Sequence, residues 1–430
     1  MDIVEITAAS KICWQVLVGC LIEDSMPEET IHVCLLMRQF WPTLAGAAER
    51  MRRYAPGLAV RGVRMHVICF WREGLPKTER LEDGTEITRV ERTGTPQEDD
   101  VSLFVQAESC LRRLPAGRRV LQTNLLGSHT VKNISRMAGQ GIPVVYLGTM
   151  NEVESTKAGM LRRWLSAWRL RQLFRPFAAA VVGSESMRQW LVKAGVATSR
   201  VHQIGHGVDL SRFRPAADAG EKVELRRRLN LPETAWVVLF VGTMTERKGA
   251  HLLVEAWSRM QKSGTQGVLV MLGAFDRPTV VKNDQREELG VFQENLRRLM
   301  APLIASETLM HHEHTSEIEL WMRASDLLIL PSSKEGVPNV VLEGMSSGLP
   351  CLLTRFQGFP EDELGENGVH YQIVERSVEG LEQELLQFQG DEVRLSRMGA
   401  SALARACEHF DLNLTLDRYA ALYRCLVHAG

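Results

Sequence analysis

Residues 332–350 read SSKEGVPNVVLEGMSSGLP, and the rest of the chain is organised around this segment. The apolar run at residues 326–331 before it predicts a buried parallel strand, and a short helix is predicted to begin near Pro338. Proline is favoured at the first helical position because its missing N–H has no partner there. Gly336 and Val337 therefore form a loop before a helix N-terminus, which attracts anions through its free N–H groups and its dipole.

Two glutamates frame this predicted anion site: Glu335 stands in the loop and Glu343 on the helix. A ligand that carries both phosphate and hydroxyl groups, as a sugar nucleotide does, explains why carboxylates flank an anion site. The alternative is that Glu335 is a solvated loop residue and Glu343 a surface position on an ordinary helix.

The Glu-x7-Glu spacing, with Gly-Val-Pro between the glutamates, resembles the donor-site motif of the retaining family-4 glycosyltransferases, which have the GT-B fold. The resemblance implies that Glu335 lies beside the donor sugar and that Glu343 holds the ribose hydroxyl groups. It also implies that the donor phosphates meet the backbone of Gly336, Val337, Pro338 and Asn339.

The resemblance extends from about Ile31 to the C-terminus and implies an α/β fold of the GT-B type, with two Rossmann-like doubly wound parallel-sheet domains facing across a cleft. The length of 430 residues also suits two domains. We therefore expect an N-terminal extension at residues 1–30, an acceptor domain at residues 31–210, a nucleotide-sugar donor domain at residues 211–408, and a C-terminal helix at residues 409–430 that crosses back to the first domain.

The composition is that of an ordinary soluble globular protein, with 45% apolar and 24% charged residues. A formal net charge of −1 argues against nucleic acid as a partner. The cysteines lie far apart without a Cys-x-x-Cys pair, which predicts free thiols in a reducing compartment. The N-terminus lacks a basic segment, and its apolar run at residues 12–22 is shorter than the ~20 residues of a membrane span, so we expect a cytoplasmic protein.

The first domain opens with IHVCLLM, residues 31–37, a predicted buried strand. A small-residue loop at residues 45–48 follows, and then a helix that is predicted to end before Pro56. In the family two adjacent glycines usually stand in this loop, which reaches toward the donor phosphates, whereas this chain has Ala45 and Gly46. Gly46 is a candidate phosphate contact because glycine lets backbone approach a ligand closely. A simple strand-to-helix turn is the alternative.

The polar segment GTMNEVES, residues 148–155, follows a predicted strand at residues 142–147. Doubly wound sheets bind ligands beyond the carboxyl ends of their strands, so we expect this segment at the binding edge. In several family members a histidine holds the position of Gly148 and contacts the donor sugar or the acceptor. Thr149, Asn151 and Glu152 are predicted to supply acceptor-side contacts instead.

Residues 157–177 combine arginines with tryptophans and other apolar residues at helical spacing. Such a stretch, from Arg162 to Phe177, can seat a protein on anionic lipid head groups at the inner face of a membrane. It can equally bury its tryptophans in the domain and expose its arginines. Both interpretations stay open, and a lipid-linked acceptor would favour the first.

The stretch IGHGVDLSRFRP, residues 204–215, resembles the family's Asn-Gly-Val-Asp…Phe-x-Pro segment between the two domains. His206 stands where asparagine is usual. We therefore place the domain boundary between Gly205 and Gly220.

The second domain opens at residue 236 with WVVLFVGTMTERKGAHLLVEAW, which predicts a strand, a polar loop that begins at Gly242, and an amphipathic helix. Family members commonly have a basic residue directly after this glycine and a lysine five positions later. Here Thr243 takes the first place, while Arg247 and Lys248 supply two adjacent positive charges. We predict that Gly242, Thr243, Arg247 and Lys248 contact the donor. The alternative is that Arg247 and Lys248 are a solvated pair of surface charges.

The predicted chemistry is glycosyl transfer without a metal ion or a cofactor. The leaving nucleoside diphosphate gains negative charge, and Lys248, Arg247 and the helix N-terminus at Pro338 supply fixed positive partners. No Asp-x-Asp pair follows a strand in the sequence, and no histidine cluster suggests a metal site. Glu335 is the candidate for stabilising the oxocarbenium-like anomeric centre. The resemblance implies retention of configuration by front-face attack, with the leaving phosphate helping to accept the acceptor's proton.

We therefore expect a glycosyltransferase that moves a sugar from a nucleoside-diphosphate sugar to a glycan or lipid-linked acceptor. Two alternatives stay open: a sugar-nucleotide epimerase with the same fold, and a non-catalytic sugar-nucleotide-binding subunit. The Glu-Gly-Val-Pro…Glu arrangement favours transfer over epimerisation, whereas Gly148 and Ala45 leave room for the binding subunit. No pattern in the sequence identifies the nucleotide base, the sugar or the acceptor.

Overall fold

The computed structural model describes residues 30–42, 46–148, 170–275, 283–313, 315–357 and 359–429. These residues form two units: the first contains those up to Gly205 together with those from Asn413 onwards, and the second runs from His206 to Leu412. Several predicted features lie outside the described residues, namely residues 1–29 of the extension, residues 162–169 of the basic stretch, and Thr149, Asn151 and Glu152.

The first unit is built on a sheet with the strand order β3-β4-β2-β1-β5-β6-β7-β8. Neighbouring strands are parallel except β3 and β4, which are antiparallel. The central strands are continuous apolar runs because both faces of a parallel sheet are covered. The strands are β1 (Ile31–Leu36), β2 (Val63–Phe70), β3 (Thr78–Arg80), β4 (Glu86–Val90), β5 (Arg119–Thr123), β6 (Val144–Leu147), β7 (Ala179–Val182) and β8 (Val201–Gln203).

The helices between these strands are α1 (Gly46–Val60), α2 (Pro96–Arg113), α3 (Val131–Gly139) and α4 (Glu185–Lys193). A capping box starts α2, because the Thr95 hydroxyl accepts the N–H of Glu98 and the Glu98 carboxylate accepts the N–H of Thr95. The prediction that the first helix ends before Pro56 is wrong, since α1 continues to Val60. Pro56 removes one backbone hydrogen bond, and the buried face of α1 offsets that loss.

The second unit is built on a fully parallel sheet with the strand order β11-β10-β9-β12-β13-β14. Its strands are β9 (Trp236–Val241), β10 (Gly267–Leu272), β11 (Leu309–His312), β12 (Leu327–Leu330), β13 (Cys351–Thr354) and β14 (Gln372–Val374). Its helices are α5 (Ala219–Arg228), α6 (Ala250–Lys262), α7 (Asn283–Ala305), α8 (Ile318–Ala324), α9 (Asn339–Ser346), α10 (Glu361–Leu364), α11 (Val378–Phe388) and α12 (Glu392–His409). The predicted α/β fold with two doubly wound sheets is confirmed, and the antiparallel edge strand β3 was not predicted.

Each sheet reverses its strand order at one point. In the first unit β1 has β2 on one side and β5 on the other, and in the second unit β9 has β10 on one side and β12 on the other. The connections that follow such strands diverge to opposite faces and leave a crevice beyond the carboxyl ends, where open α/β sheets bind their ligands. The loops after β1 and β5, and those after β9 and β12, are therefore the places to look for binding sites.

The last helix of the chain, α13 (Leu412–His428), packs on the first unit. The hydroxyl group of Tyr423 donates a hydrogen bond of 2.6 Å to Oε1 of Gln122, which lies on β5. The ring centroids of Tyr54 and Tyr419 are 5.9 Å apart. Buried aromatic contacts and one buried hydrogen bond thus attach the end of the chain to the first sheet.

Two aromatic residues of the basic stretch belong to the core of the first unit. Phe174 and Phe177 are almost fully buried, and their rings meet the ring of Tyr146 edge-on at centroid distances of 5.0 and 5.7 Å. Within the described ranges, no helix has the length and apolar character that crossing a membrane requires.

A pair of histidines on neighbouring strands gives the first unit a pH-sensitive contact. Nδ1 of His32 lies 3.0 Å from Nε2 of His66, and Nδ1 of His66 lies 3.1 Å from Oε2 of Glu86. Burial is the largest cause that lowers the pKa of both histidines below the ordinary value of 6.5. The folded protein therefore favours the neutral rings.

We predict that acidification destabilises the protein through this pair. As the pH falls below about 6.5, the unfolded chain binds protons that the folded state excludes, so the free energy of unfolding decreases until the pH reaches the lower folded-state pKa values. Urea unfolding at about pH 7.5 and about pH 5.5 measures the decrease, and His66→Gln should show a smaller one. An equal decrease in the wild type and the variant would contradict this assignment.

Candidate active site

The loops after β9 and β12 lie against each other at the switch point of the second unit. The N–H of Ser333 donates to the carbonyl oxygen of Arg247 at 2.8 Å, which joins the two loops through their backbones. Gly249 has a φ of +74°, and a Cβ added there would overlap the carbonyl oxygen of Pro331 at the end of β12. Only glycine permits both this conformation and this close approach.

A cluster of charges forms where the two loops meet. Nζ of Lys248 lies 2.7 Å from Oε1 of Glu335, and Nη1 of Arg247 lies 3.0 Å from the same oxygen. The hydroxyl group of Ser332 donates to this oxygen as well, at 2.7 Å. Because two cations face one carboxylate, the cluster carries excess positive charge and is suited to an anionic ligand.

Burial strengthens the electrostatic interactions of this cluster. The side chains of Lys248 and Glu335 are only 13% and 11% exposed, whereas that of Arg247 is 46% exposed. Burial is the largest influence on the pKa of Lys248 and lowers it, while the carboxylate of Glu335 acts in the opposite direction and the charge of Arg247 adds to the lowering. An ammonium group has three donors, so Lys248 can hold Glu335 and a phosphate oxygen at the same time.

The N-terminus of α9 follows the charge cluster directly. The helix begins at Asn339, and Pro338 precedes it as the N-cap with a ψ of 90°, so the prediction of Pro338 as the first helical residue is wrong by one position. Pro338 itself has no N–H to offer. The N–H groups of Asn339 and Val340, in the first turn, have no helical carbonyl to pair with and can meet an anion.

Glu343 is buried on α9, with 5% of its surface exposed, so it is not a surface position on the helix. It stands four residues after Asn339 and therefore on the same side of α9. Glu335 is not a solvated loop residue either, since three side chains hydrogen bond to or pair with its carboxylate. Both bland alternatives for the two glutamates are excluded.

Two other predicted donor residues of the second unit, Gly242 and Thr243, lie at the end of β9. Gly242 follows the strand directly, and a Cβ on Gly273, which follows β10, would overlap the carbonyl oxygen of Gly242. Thr243 is exposed beside it. Gly336 and Val337 connect Glu335 to the N-cap of α9 and are half-buried. The predicted residues from Gly242 to Lys248 thus lie in the loop after β9, and those from Glu335 to Pro338 lie in the loop after β12 that contacts it. Asn339 and Glu343 lie on α9.

Two predicted positions belong to the first unit. Gly46 is the first residue of α1, with open space where a Cβ would stand. Gly148 is buried, and a Cβ there would lie 2.6 Å from Sδ of Met187 and 3.2 Å from the carbonyl oxygen of Val181. A histidine at residue 148 would therefore have to displace Met187.

Sequence reasoning gave no role to two residues that shape the site. Nδ1 of His206 lies 2.6 Å from Oδ1 of Asn339; because an amide oxygen only accepts, His206 is the donor and orients the side chain at the start of α9. Arg376 donates to the carbonyl oxygens of Glu246 at 2.7 Å and Pro331 at 3.0 Å and so bridges both loops. The unusual histidine in the 204–215 stretch was a signal for the first contact, whereas nothing in the sequence points to the second.

Among the described residues, no group of three or more His, Cys, Asp or Glu side chains is placed to hold a metal ion. At the site itself the carboxylate of Glu335 is engaged by Lys248 and Arg247. The side chains that are brought together here are suited to binding phosphate oxygens directly.

We predict that Gly249→Ala destabilises the protein by about 2 kcal/mol or more, because alanine adds both left-handed strain and an overlap with the Pro331 carbonyl. Gly264→Ala is the matched control, since Gly264 has a φ of +86° but open space around it, and strain alone should cost about 1 kcal/mol. Chemical denaturation of both variants measures the difference. Equal losses would show that the two loops do not approach as closely as described.

Two family models match the chain. The model described as Glycosyl transferases group 1 matches residues 221–405, and the model described as Glycosyltransferase Family 4 matches residues 44–212. Together they account for most of both units.

Curated relatives match over part of their length. D-inositol 3-phosphate glycosyltransferase 1 of Catenulispora acidiphila is 28% identical over 246 residues, which are 56% of this chain and 56% of that protein. The lipopolysaccharide core biosynthesis mannosyltransferase LpsB of Rhizobium meliloti is 27% identical over 228 residues, which are 52% of this chain and 60% of that protein. The chain thus spans somewhat more than half the length of these two relatives.

Solved structures share the fold at low sequence identity. Sucrose-phosphate synthase from Thermosynechococcus elongatus has a TM-score of 0.73 at 18% identity over 93% of this chain and 100% of that one. Anabaena HepE in complex with UDP and glucose has a TM-score of 0.66 at 17% identity over 92% of this chain and 99% of that one. The two family models and the shared architecture agree, and the chain belongs to the family-4 glycosyltransferases, glycosyl transferases group 1, with the GT-B fold.

Proposed function

We propose that this protein transfers a sugar from a nucleoside-diphosphate sugar to a glycan or lipid-linked acceptor, with retention of configuration and without a metal ion. The observation that carries the proposal is the contact of Lys248 and Arg247 with Glu335 in front of the N-terminus of α9. Family membership and the names of the glycosyltransferase relatives support it.

The positively charged groups of the cluster stabilise the leaving group in the proposed reaction. As the bond between the anomeric carbon and the phosphate oxygen breaks, negative charge grows on the diphosphate. Lys248 and the free N–H groups at the start of α9 are fixed in place before the reaction, so they stabilise that charge without reorganising. Removal of one such preorganised donor typically costs about 10² to 10³ in turnover.

Glu335 stabilises the reacting sugar in the proposed reaction. Its carboxylate is held by Lys248, Arg247 and Ser332, all through Oε1, and this fixes the orientation of the side chain. In the proposed reaction the anomeric carbon gains positive charge, which a nearby carboxylate stabilises. The acceptor oxygen then forms its bond on the face from which the phosphate leaves, and the leaving phosphate oxygen takes the proton of the acceptor hydroxyl group.

A binding subunit without transferase activity is the competing function, and the packing of Gly148 against Met187 is the observation that favours it. The paired charges at Glu335 favour catalysis, because simple binding of a diphosphate needs no carboxylate among its cations.

Thermal-shift screening with UDP-, GDP- and ADP-sugars, followed by assays of transfer and donor hydrolysis, tests the proposal. A ligand that binds only the folded state raises the melting temperature, so the largest shift identifies the donor. We expect hydrolysis or transfer of that donor, and we expect it to persist in EDTA. Tight donor binding with neither activity would favour the binding subunit, and loss of activity in EDTA that added Mg²⁺ restores would contradict the metal-free reaction.

We predict that Lys248→Ala and Glu335→Gln each lower kcat by about 10² or more, since each removes stabilisation of a charge that develops in the transition state. Lys262→Ala, which removes an exposed positive charge at the end of α6, is the matched control and should keep normal turnover. Initial rates with the donor found in the screen measure the effect. Near-normal kcat in either site variant would overturn its assignment.

A further inference from the structure

The first unit has its own switch point, and three polar side chains meet there. Arg38 lies just beyond β1, and His129 lies in the loop between β5 and α3. Asp100, on α2, connects them: Nε and Nη2 of Arg38 donate to its two carboxylate oxygens at 2.9 and 2.7 Å, and Nε2 of His129 lies 2.8 Å from Oδ2. We name these residues the Arg38–Asp100–His129 cluster.

The cluster has a buried carboxylate and two outward-facing partners. The side chain of Asp100 is 1% exposed, whereas those of Arg38 and His129 are 54% and 32% exposed. Burial is the largest single influence on the pKa of Asp100 and raises it, but the hydrogen bonds from Arg38 and His129 outweigh burial, so the net shift is downward. Asp100 is therefore ionised at neutral pH and fixes the positions of both partners.

This arrangement determines which nitrogen of His129 carries the proton. An ionised carboxylate only accepts hydrogen bonds, so Nε2 of His129 must be the donor to Asp100. In the neutral ring Nδ1 is then an acceptor. Within the described part of the chain, Nδ1 has no hydrogen-bonding partner. The cluster thus presents an imidazole acceptor next to a guanidinium donor.

The charge of the cluster favours a neutral ligand. The positive charge of Arg38 is offset by Asp100, so this ion pair carries no net charge. A hydroxyl group suits this pair, because it can donate to Nδ1 and accept from a guanidinium. A phosphate or a carboxylate has no proton for Nδ1 and would approach a buried carboxylate.

A second acceptor at the same edge of the sheet also lacks a donor. Asn124 follows β5 directly, and its Oδ1 is buried without a hydrogen-bonding partner in the described residues. Leu36 pairs with Thr123, so the residues after β1 and β5 emerge side by side. The loops at this switch point therefore contain more acceptors than their own donors satisfy.

We infer that the Arg38–Asp100–His129 cluster binds hydroxyl groups of a neutral sugar unit of the acceptor. This inference rests on the proposed transferase function and names the acceptor class. His129 and Arg38 contact the acceptor, and Asp100 acts as a positioning residue. If the cluster only held the loops in place, changing Nδ1 would leave acceptor binding unaltered.

The tautomer of His129 can be tested without knowing the acceptor. Long-range ¹H–¹⁵N spectra of protein labelled with ¹⁵N at histidine, assigned with His129→Gln, report which ring nitrogen carries the proton. We expect the proton on Nε2 and a bare Nδ1 at about pH 7.5. A proton on Nδ1 would overturn the inference, whether or not the protein proves to be a transferase.

Kinetics then test the ligand class. His129→Gln keeps an amide donor for Asp100 but removes the Nδ1 acceptor. Arg38→Lys keeps the positive charge but removes the planar guanidinium group with its paired N–H donors. The probes are octyl glycosides of glucose, mannose, galactose and N-acetylglucosamine, together with the corresponding sugar 6-phosphates. Both variants should raise the acceptor KM by about ten-fold or more while the donor KM and donor hydrolysis stay within about two-fold of wild type. Arg136→Lys, which alters the ion pair of the exposed Arg136 with Glu108, is the matched control and should change neither KM.

The remaining outcomes separate this inference from the proposed function. If the wild type neither binds nor hydrolyses any donor, the transferase proposal fails while the spectra still report on the cluster. If the donor is hydrolysed but no neutral glycoside accepts sugar, or only the phosphorylated sugars depend on Arg38 and His129, the neutral-sugar assignment is wrong. An unchanged acceptor KM in both variants would mean that the cluster is structural only.

Discussion

The contact between Lys248 and Glu335 is the interaction on which the candidate site depends. It joins the loops after β9 and β12 at the point where the strand order of the second sheet reverses. A buried ion pair contributes little net stability, because desolvation offsets the attraction. The ion pair instead fixes the positions of both side chains, which are largely buried. A ligand with both negative and hydroxyl groups can then contact the ammonium group and the carboxylate.

The surrounding backbone explains why these charges can come so close. Gly249 allows the loop after β9 to touch the carbonyl group of Pro331, and Arg376 ties both loops through their carbonyl oxygens. Pro338 ends the second loop and starts α9 without consuming the N–H groups of the first turn. Rigid main-chain contacts therefore hold the side chains, which is what preorganised electrostatic catalysis requires.

The sequence was sufficient to predict the parts of the fold that depend on local patterns. Apolar runs followed by glycine-containing loops predicted the parallel strands, and they placed Lys248 and Glu335 at strand ends that the sheet order brings together. Contacts between residues that are distant in the sequence gave a weak sequence signal or none. These contacts depend on how distant segments of the chain pack together, which local sequence periodicity does not predict. They are the contacts of His206 with Asn339, of Arg376 with two carbonyl groups, and of Asp100 with Arg38 and His129. The continuation of α1 through Pro56 was missed because tertiary burial overrode local preference.

Both units place charged side chains at the switch point of their sheet, but the balance of charge differs between them. In the second unit the switch point gathers two cations around one carboxylate, which suits a diphosphate. In the first unit the switch point balances one cation with one buried carboxylate and leaves an imidazole acceptor, which suits a hydroxyl group.

We propose that Lys248 and the start of α9 bind the diphosphate of the donor, and calorimetric titration measures this binding. The nucleoside diphosphate of the identified donor is compared with its monophosphate, in the wild type and in Lys248→Ala. We expect the wild type to prefer the diphosphate by about ten-fold or more and the variant to lose most of this preference. An unchanged preference for the diphosphate in the variant would contradict this proposal.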